Sequence, residues 1–293
     1  MRFILIILVI SASLLSCENL VGSSPITSGD STITQTASVD TTAISPSKRV
    51  ALSWERYSSL DTANVQRAIG TAADGIFGTK STAQLKVYQA KNALTVSGKI
   101  DQATFEYIFK NRLKESDYIY YVIQSHFIIF DNAKDTIKFC PKYKSLSVEN
   151  KRLAHAEIIL GIIYRESGYK PTSRMVETTM STDPVTGKQV ASEGYLQLSY
   201  QDIPNYGSIV KGCGIDWNKD KNLAVNDPKK TILDGMINLN CGLKIYVNQL
   251  NKKGLITIKP GNGLYWAVIS DGGKYTQVPW IASRVQANVP LCK

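Results

Sequence analysis

A turn that occurs twice narrows the possible folds more than any other feature of the chain. Asp74-Gly75-Ile76-Phe77-Gly78, followed by Thr82, and Gly98-Lys99-Ile100-Asp101, followed by Thr104, read as two halves of an internal repeat. The flanking segments carry helical spacing. Asp61-Thr62 can cap a helix bearing Val65 and Ile69 one turn apart, and Ser81-Thr82 can start a second in which Leu85 and Tyr88 share a face. A third, over 103–109, turns Phe105, Ile108 and Phe109 inward. A generic bundle explains the apolar spacing but not two near-copies of a glycine turn. Residues 55–112 are therefore expected to form a small three-helix unit.

The rest of the 293 residues divides around that unit, and the length suits two unequal domains. Residues 1–17 read as an export signal: Arg2 is the positive end, and Phe3 to Ile10 is an apolar run too short to span a bilayer. Leu14-Leu15-Ser16-Cys17 resembles the bacterial lipoprotein box, which implies cleavage before Cys17 and lipidation of its sulfur and amine. The competing reading is ordinary signal cleavage beside an incidental cysteine. In such lipoproteins a residue other than aspartate after the cysteine, here Glu18, implies the outer membrane. The expected location is thus exported, either periplasmic on an outer-membrane lipid anchor or secreted. Residues 18–54, rich in Ser and Thr as far as Pro46, cannot bury enough surface to offset chain entropy and read as a flexible tether. Residues 113–293 are long enough for one enzyme-sized core.

Charge and rare residues exclude several function classes. The net charge is +10, and residues 113–293 carry 23 basic against 16 acidic side chains. Such a surface suits a polyanion. No recognition helix or aromatic RNA-binding signature accompanies it, so nucleic acid is not an expected partner. The two histidines, His126 and His155, leave a His-rich zinc hydrolase without ligands. No phosphate-binding Gly-x-x-x-x-Gly-Lys-Ser/Thr stretch occurs, and neither metal nor cofactor is expected. Cys140, Cys213, Cys241 and Cys292 all lie beyond residue 113, and in an exported chain they point to two disulfides with three possible pairings. A thiol nucleophile is the weaker reading, because neither histidine is near a cysteine in sequence.

Taken whole, the segment from Val65 to Phe109, VQRAIGTAADGIFGTKSTAQLKVYQAKNALTVSGKIDQATFEYIF, resembles the three-helix peptidoglycan-binding domain of bacterial wall enzymes. The Asp-Gly-Ile-Phe-Gly turn, the Tyr88-Gln89 pair and Gly98-x-Ile100-Asp101-x-x-Thr104 carry the resemblance. It implies wall binding, with peptidoglycan as partner, rather than catalysis.

The chemistry is sought on a helix expected from about Glu149 to Ser167, capped by Ser147 or Asn150 and ended by Gly168 and Pro171. At 100° per residue, Ile159, Ile162 and Ile163 fall within about 60° of Glu166. Glu166 thus continues the apolar stripe on the last turn. Glu157 points the other way and is expected to be ordinary solvated charge. A carboxyl on an apolar stripe is partly desolvated, which raises its pKa and suits it to donate a proton near neutral pH. The bland alternative is an ion-pair partner for Arg165 or a lysine.

Tyr164-Arg165-Glu166-Ser167-Gly168-Tyr169-Lys170-Pro171, followed by Ser192-Glu193-Gly194-Tyr195-Leu196-Gln197-Leu198, resembles the lysozyme-like superfamily, in particular goose-type lysozymes and soluble lytic transglycosylases. Asp234, Asn238, Cys241-Gly242-Leu243 and Tyr246 look like a later helix of that family. The resemblance implies a mainly α protein: a small wall-binding bundle followed by an α-rich, lysozyme-like α+β domain. It makes Glu166 the catalytic residue, and Ser192, Gly194, Tyr195, Gln197 and Tyr246 the substrate-binding ones. Gly194 would let backbone approach a sugar, and Gln197 offers it both donor and acceptor. The family's Ala-Tyr-Asn-Ala-Gly is replaced by Tyr265-Trp266-Ala267-Val268, where Tyr265 could line the cleft or belong to the core. The loop from Met175 to Gln189 is longer than the family implies and could be a lid or a specificity loop.

The implied activity is cleavage of the β-1,4 bond between N-acetylmuramic acid and N-acetylglucosamine. Hydrolysis usually needs two carboxylates, whereas lytic transglycosylases manage with one because the sugar's 6-hydroxyl closes an anhydro ring. Glu193 and Asp202 are the foremost candidates for a second acid, with Glu177 and Asp183 behind them. The residues leave that choice open, and with it hydrolase against transglycosylase. A binding-only wall lipoprotein and a wall amidase or peptidase are the rival functions. The sequence gives no oligomeric state.

Overall fold

The computed structural model describes residues 58–109, 115–263 and 265–293. The leader, Cys17 and the tether lie outside the described residues. The described chain is mainly helical, and its named strands form a two-stranded sheet.

Helices α1 (Ser59–Ile69), α2 (Thr79–Lys91) and α3 (Gln102–Phe109) form the bundle. Its core is Val65, Ile69, Leu85, Phe105 and Phe109, with Tyr88 and Ile108 packed against it. The helix starts differ from the sequence reading. Ser58 caps α1, and Asp61 is the third-position partner of a capping box, its carboxylate accepting from the Ser58 backbone N–H at 3.0 Å. The second helix begins at Thr79, ahead of Ser81-Thr82.

Each copy of the repeated turn is held by a buried glutamine. Gln66 Nε2 donates to Asp74, the Ile76 carbonyl and Ser81 Oγ, and its Oε1 accepts from Gly75 N at 2.8 Å. Gln89 Nε2 donates to Ser97 Oγ, the Lys99 carbonyl and Thr104 Oγ1, and its Oε1 accepts from Gly98 N at 2.8 Å. The partner of Thr104 in the repeat is therefore Ser81, not Thr82. Both glutamines have all their polar atoms satisfied, which burial of an amide demands.

The larger body is built around α6 (Val148–Ser167). Ser147 caps its start, and Gly168 ends it in the left-handed conformation at φ 58. Against it pack α4 (Glu115–Ser125), α5 (Phe127–Asp131) and α10 (Val278–Asn288). The long α9 (Gly235–Lys253) lies against α4 and α5 and is capped by Asp234. Strands β1 (Arg174–Val176) and β2 (Ala191–Glu193) pair antiparallel in the register Arg174↔Glu193, Met175↔Ser192 and Val176↔Ala191. The long loop of the sequence reading is thus the arm and tip of a hairpin. Two short helices, α7 (Asp202–Tyr206) and α8 (Trp217–Asp220), fill the span before α9.

Disulfides join Cys140 to Cys292 and Cys213 to Cys241, one of the three pairings left open. His155 is fully buried, with Nε2 at 2.9 Å from the Tyr143 hydroxyl, and burial pushes it down to about 3, so it is a neutral core residue. Half-buried His126 precedes α5, and burial lowers its pKa.

The bundle and the larger body share α1. Leu60 and Ala63, both fully buried, belong to the large core, while Val65 and Ile69 belong to the small one. An amphipathic helix with two apolar faces can serve two cores.

Candidate active site

Glu166 stands on the last turn of α6, half-buried, where Ile159, Ile162 and Ile163 approach the helix end. Among the described residues nothing forms a hydrogen bond or ion pair with its carboxyl. Burial, reinforced by the nearby negative charge of Glu177, pushes its pKa up to about 7. Arg165, the neighbour that could have paired with it, faces outward with its guanidinium over the Trp280 ring.

The contrast expected with Glu157 does not hold. Glu157 is also half-buried; it lies 3.4 Å from Arg284 and accepts from Asn288 at 2.6 Å, and burial raises its pKa. Helix α6 is covered on most sides, so the stripe does not separate a dry face from a wet one. What distinguishes Glu166 is the lack of a partner, not the dryness of its face.

The 192–198 segment is a tight turn. Glu193 N and Leu198 N each donate to the other's carbonyl, at 2.7 and 2.9 Å. Ser192 Oγ donates to Glu177 Oε1 at 2.5 Å. The hairpin supplies the rest of the grip on Glu177: its N–H donates to the Val190 carbonyl, and its own carbonyl accepts from Gln189 Nε2. Ser192 therefore holds a carboxylate instead of facing open solvent.

The neighbouring positions are engaged inside the protein. At Gly194, φ is +81, and a Cβ would stand 2.1 Å from Asn238 Nδ2. The glycine is therefore required by internal packing, independently of any sugar. The hydroxyl of buried Tyr195 meets Arg67 on α1. Gln197, itself at φ +50, donates Nε2 to the Gly194 carbonyl at 2.8 Å. Tyr246 is core, packed on Phe130 and Trp266. Tyr265 is half-buried between Tyr206 and Trp266; its hydroxyl donates to Asp202 in a short hydrogen bond, and its electrostatic neighbours include Glu166.

The two foremost candidates for a second acid are also occupied. Glu193 is buried between Arg174 Nε at 2.8 Å and Lys230 Nζ at 2.6 Å, a paired charge that holds the hairpin to the body. Asp202 is buried, its carboxylate accepting from Ser199 and Tyr265; burial raises its pKa, and those hydrogen bonds partly offset the rise. Asp183 accepts from the backbone N–H groups of Val185, Thr186 and Gln201. Of the four carboxylates weighed, Glu177 is the one coupled to Glu166. Its placement follows from hairpin register, for which the sequence carries no signal.

Asn238 is the residue whose importance the sequence understated. Fully buried on α9, it accepts from Leu196 N at 2.8 Å and donates to the carbonyls of Glu193 and Ile232. One amide thereby fastens the 193–196 backbone. Its position four residues after the helix-capping Asp234, facing inward, was the available clue.

Among the described residues no cluster of His, Cys, Asp and Glu could hold a metal ion, and no helix is long and apolar enough to cross a membrane. The sequence profile of a family described as a putative peptidoglycan binding domain matches residues 62–108. That match gives the chain a cell-wall-related role with peptidoglycan as partner. No curated protein matches. Among solved structures, the wild-type form 2 of DslA shows 26% identity and a TM-score of 0.47, covering 63% of this chain and 96% of that one. Two glutamate-to-glutamine mutants of DslA match at 24% identity and TM-scores of 0.47, covering 63–64% of this chain and 96–97% of those.

Proposed function

We propose that the protein is a peptidoglycan glycosidase that cleaves the β-1,4 bond between N-acetylmuramic acid and N-acetylglucosamine, with Glu166 as the proton donor. One observation carries the reading: a half-buried carboxyl at the end of α6, without a hydrogen-bond partner among the described residues, has its pKa pushed up to about 7 by burial and by the negative charge of Glu177 on the hairpin.

A general acid must be protonated at working pH yet able to release its proton as the leaving oxygen gains charge. Glu166 meets both needs near neutrality. The bond from C1 to the bridging oxygen breaks as that oxygen takes the Glu166 proton, and positive charge develops at C1 and the ring oxygen. Glu177 supplies the negative charge that steadies it and can take a proton from the attacking water. A second carboxylate at the site favours hydrolysis over transglycosylation, because ring closure by the 6-hydroxyl dispenses with one. The wall-binding bundle would hold the domain against its polymer, and a lipid on Cys17, if added after export, would hold the chain on the membrane.

Glu166→Gln keeps the shape and removes the proton. Purified peptidoglycan incubated with the wild type should yield soluble muropeptides with reducing ends, read by mass spectrometry, and the variant should yield none while still sedimenting with the wall. Anhydro ends would reassign the enzyme as a transglycosylase. Normal release by the variant would retire Glu166 as the acid, and peptide fragments alone would favour the amidase reading.

A further inference from the structure

The half-buried Arg67 lies on α1, within the segment that matches the wall-binding family, yet its guanidinium points into the larger body. Nη1 donates to the Tyr169 carbonyl at 2.7 Å, and Nη2 lies 3.2 Å from the Tyr195 hydroxyl. Asn64, one turn earlier, holds the guanidinium from the side and also donates to Glu115 at 3.0 Å. Tyr169 comes three residues after Glu166, just past the helix cap. Tyr195 lies in the segment whose Ser192 holds Glu177.

Tyr169 is a non-glycine residue at φ +61, fully buried. Such a conformation is costly for a side chain that is neither glycine nor asparagine, and it persists only where surroundings over-determine it. The bundle supplies much of that restraint. Gly75, of the first repeated turn, packs so closely that a Cβ there would stand 3.1 Å from the Tyr169 ring and 2.7 Å from the Ser59 carbonyl. Arg284 lies over the same ring and donates to Ser59 Oγ at 2.8 Å. Arg67 fixes the carbonyl side.

We propose that Arg67 is a positioning residue for catalysis, through which the wall-binding bundle sets the placement of both carboxylates: Glu166 by way of the Tyr169 turn, and Glu177 by way of the Tyr195 segment. The proposal rests on the reading of Glu166 as the acid. Its physical basis is that helix ends fray when their caps are loosened, and that a misplacement of about 1 Å at the reacting atoms can cost about a hundredfold in rate. Glu177 is the charge that acts on Glu166, Glu166 in turn acts on Tyr265, and neither partner belongs to the bundle. A change in Glu166 behaviour on altering Arg67 would therefore reflect altered packing around Glu166 and not a lost direct charge contact.

The test uses the full chain and two substrates, purified sacculi for binding and a soluble tetrasaccharide of alternating N-acetylglucosamine and N-acetylmuramic acid for turnover. Arg67→Ala is expected to keep sacculus retention and KM within about twofold, to lower kcat at least about tenfold, and to move the alkaline limb of the pH profile down as water reaches Glu166. Arg67→Lys, which can remake one of the two contacts, should recover part of kcat. A folded Arg67→Ala with wild-type kcat and an unmoved pH limb overturns the proposal. Should Arg67→Ala fail to fold, Tyr195→Phe decides: a lowered kcat with a shifted limb supports the proposal, and wild-type values overturn it. A wild type that releases no glycan from either substrate overturns the Glu166 reading and this proposal with it, whereas an active wild type beside an unaffected Arg67→Ala overturns this proposal alone.

Discussion

At the scale of single residues, the arrangement at Glu166 has a cost in stability whose sign can be worked out. Its pKa in the folded chain, about 7, lies above the ordinary value of 4.5 that it regains on unfolding. The folded state thus binds more protons between those values, and stability falls as pH rises through that window. Below it both states are protonated and the penalty vanishes. Glu166→Gln should therefore melt higher than the wild type at pH 8, by the relief of up to about 3 kcal/mol, and at nearly the same temperature at pH 4. Equal melting temperatures at both pH values would contradict the raised pKa. The place of Glu166 on the last turn of α6 was legible beforehand from the helix stop signals, but its lack of a hydrogen-bond partner was not, because the neighbours that could have paired with it are set by the fold. Glu193 was misjudged for a physical reason: sequence shows that an acid lies in the segment, but not that Arg174 and Lys230 converge on it from 19 and 37 residues away. Gly194 and Gln197 likewise have internal partners, Asn238 and the Gly194 carbonyl, whose proximity only the fold creates.

Elements were read more reliably than their partners. The repeated turns announced three helices, and capping and stop signals placed α6 within a residue of its observed ends, since both signals are local. Where α1 packs is not a local matter. Its Leu60 and Ala63 fill the larger core, and Asp61 accepts from Ser116 of α4 at 2.7 Å. A fragment starting at residue 113 should then lack part of its own core. Losing two buried side chains of that kind removes several kcal/mol, comparable with the net stability of a domain. The fragment is expected to show expanded hydrodynamic size and exposed apolar surface in dye binding. A fragment that melts as cooperatively as the full chain would show that α1 is dispensable. The hairpin was the least legible element, because its strands are short and Glu177 acquires its neighbour only through register.

For the molecule as a whole, two staples differ in reach. Cys140–Cys292 closes a separation of 152 residues and Cys213–Cys241 one of 28. Loop-closure entropy assigns the longer about 5 kcal/mol and the shorter about 4 kcal/mol. Replacing both cysteines of the long staple with serine should therefore lower the denaturation midpoint more than the same change in the short one, and the reverse order would show that local packing outweighs chain entropy. The duplicated turn has a consequence of another kind. Both copies need a left-handed glycine, at φ 76 for Gly75 and 67 for Gly98. Around Gly98 the nearest atoms are the bendable Lys86 chain and a Thr82 methyl, while Gly75 is walled by backbone and by Tyr169. The symmetry of the repeat is thus uneven in tolerance: a side chain at 75 would press on backbone and on a buried ring, whereas one at 98 would meet a flexible lysine chain and a threonine methyl.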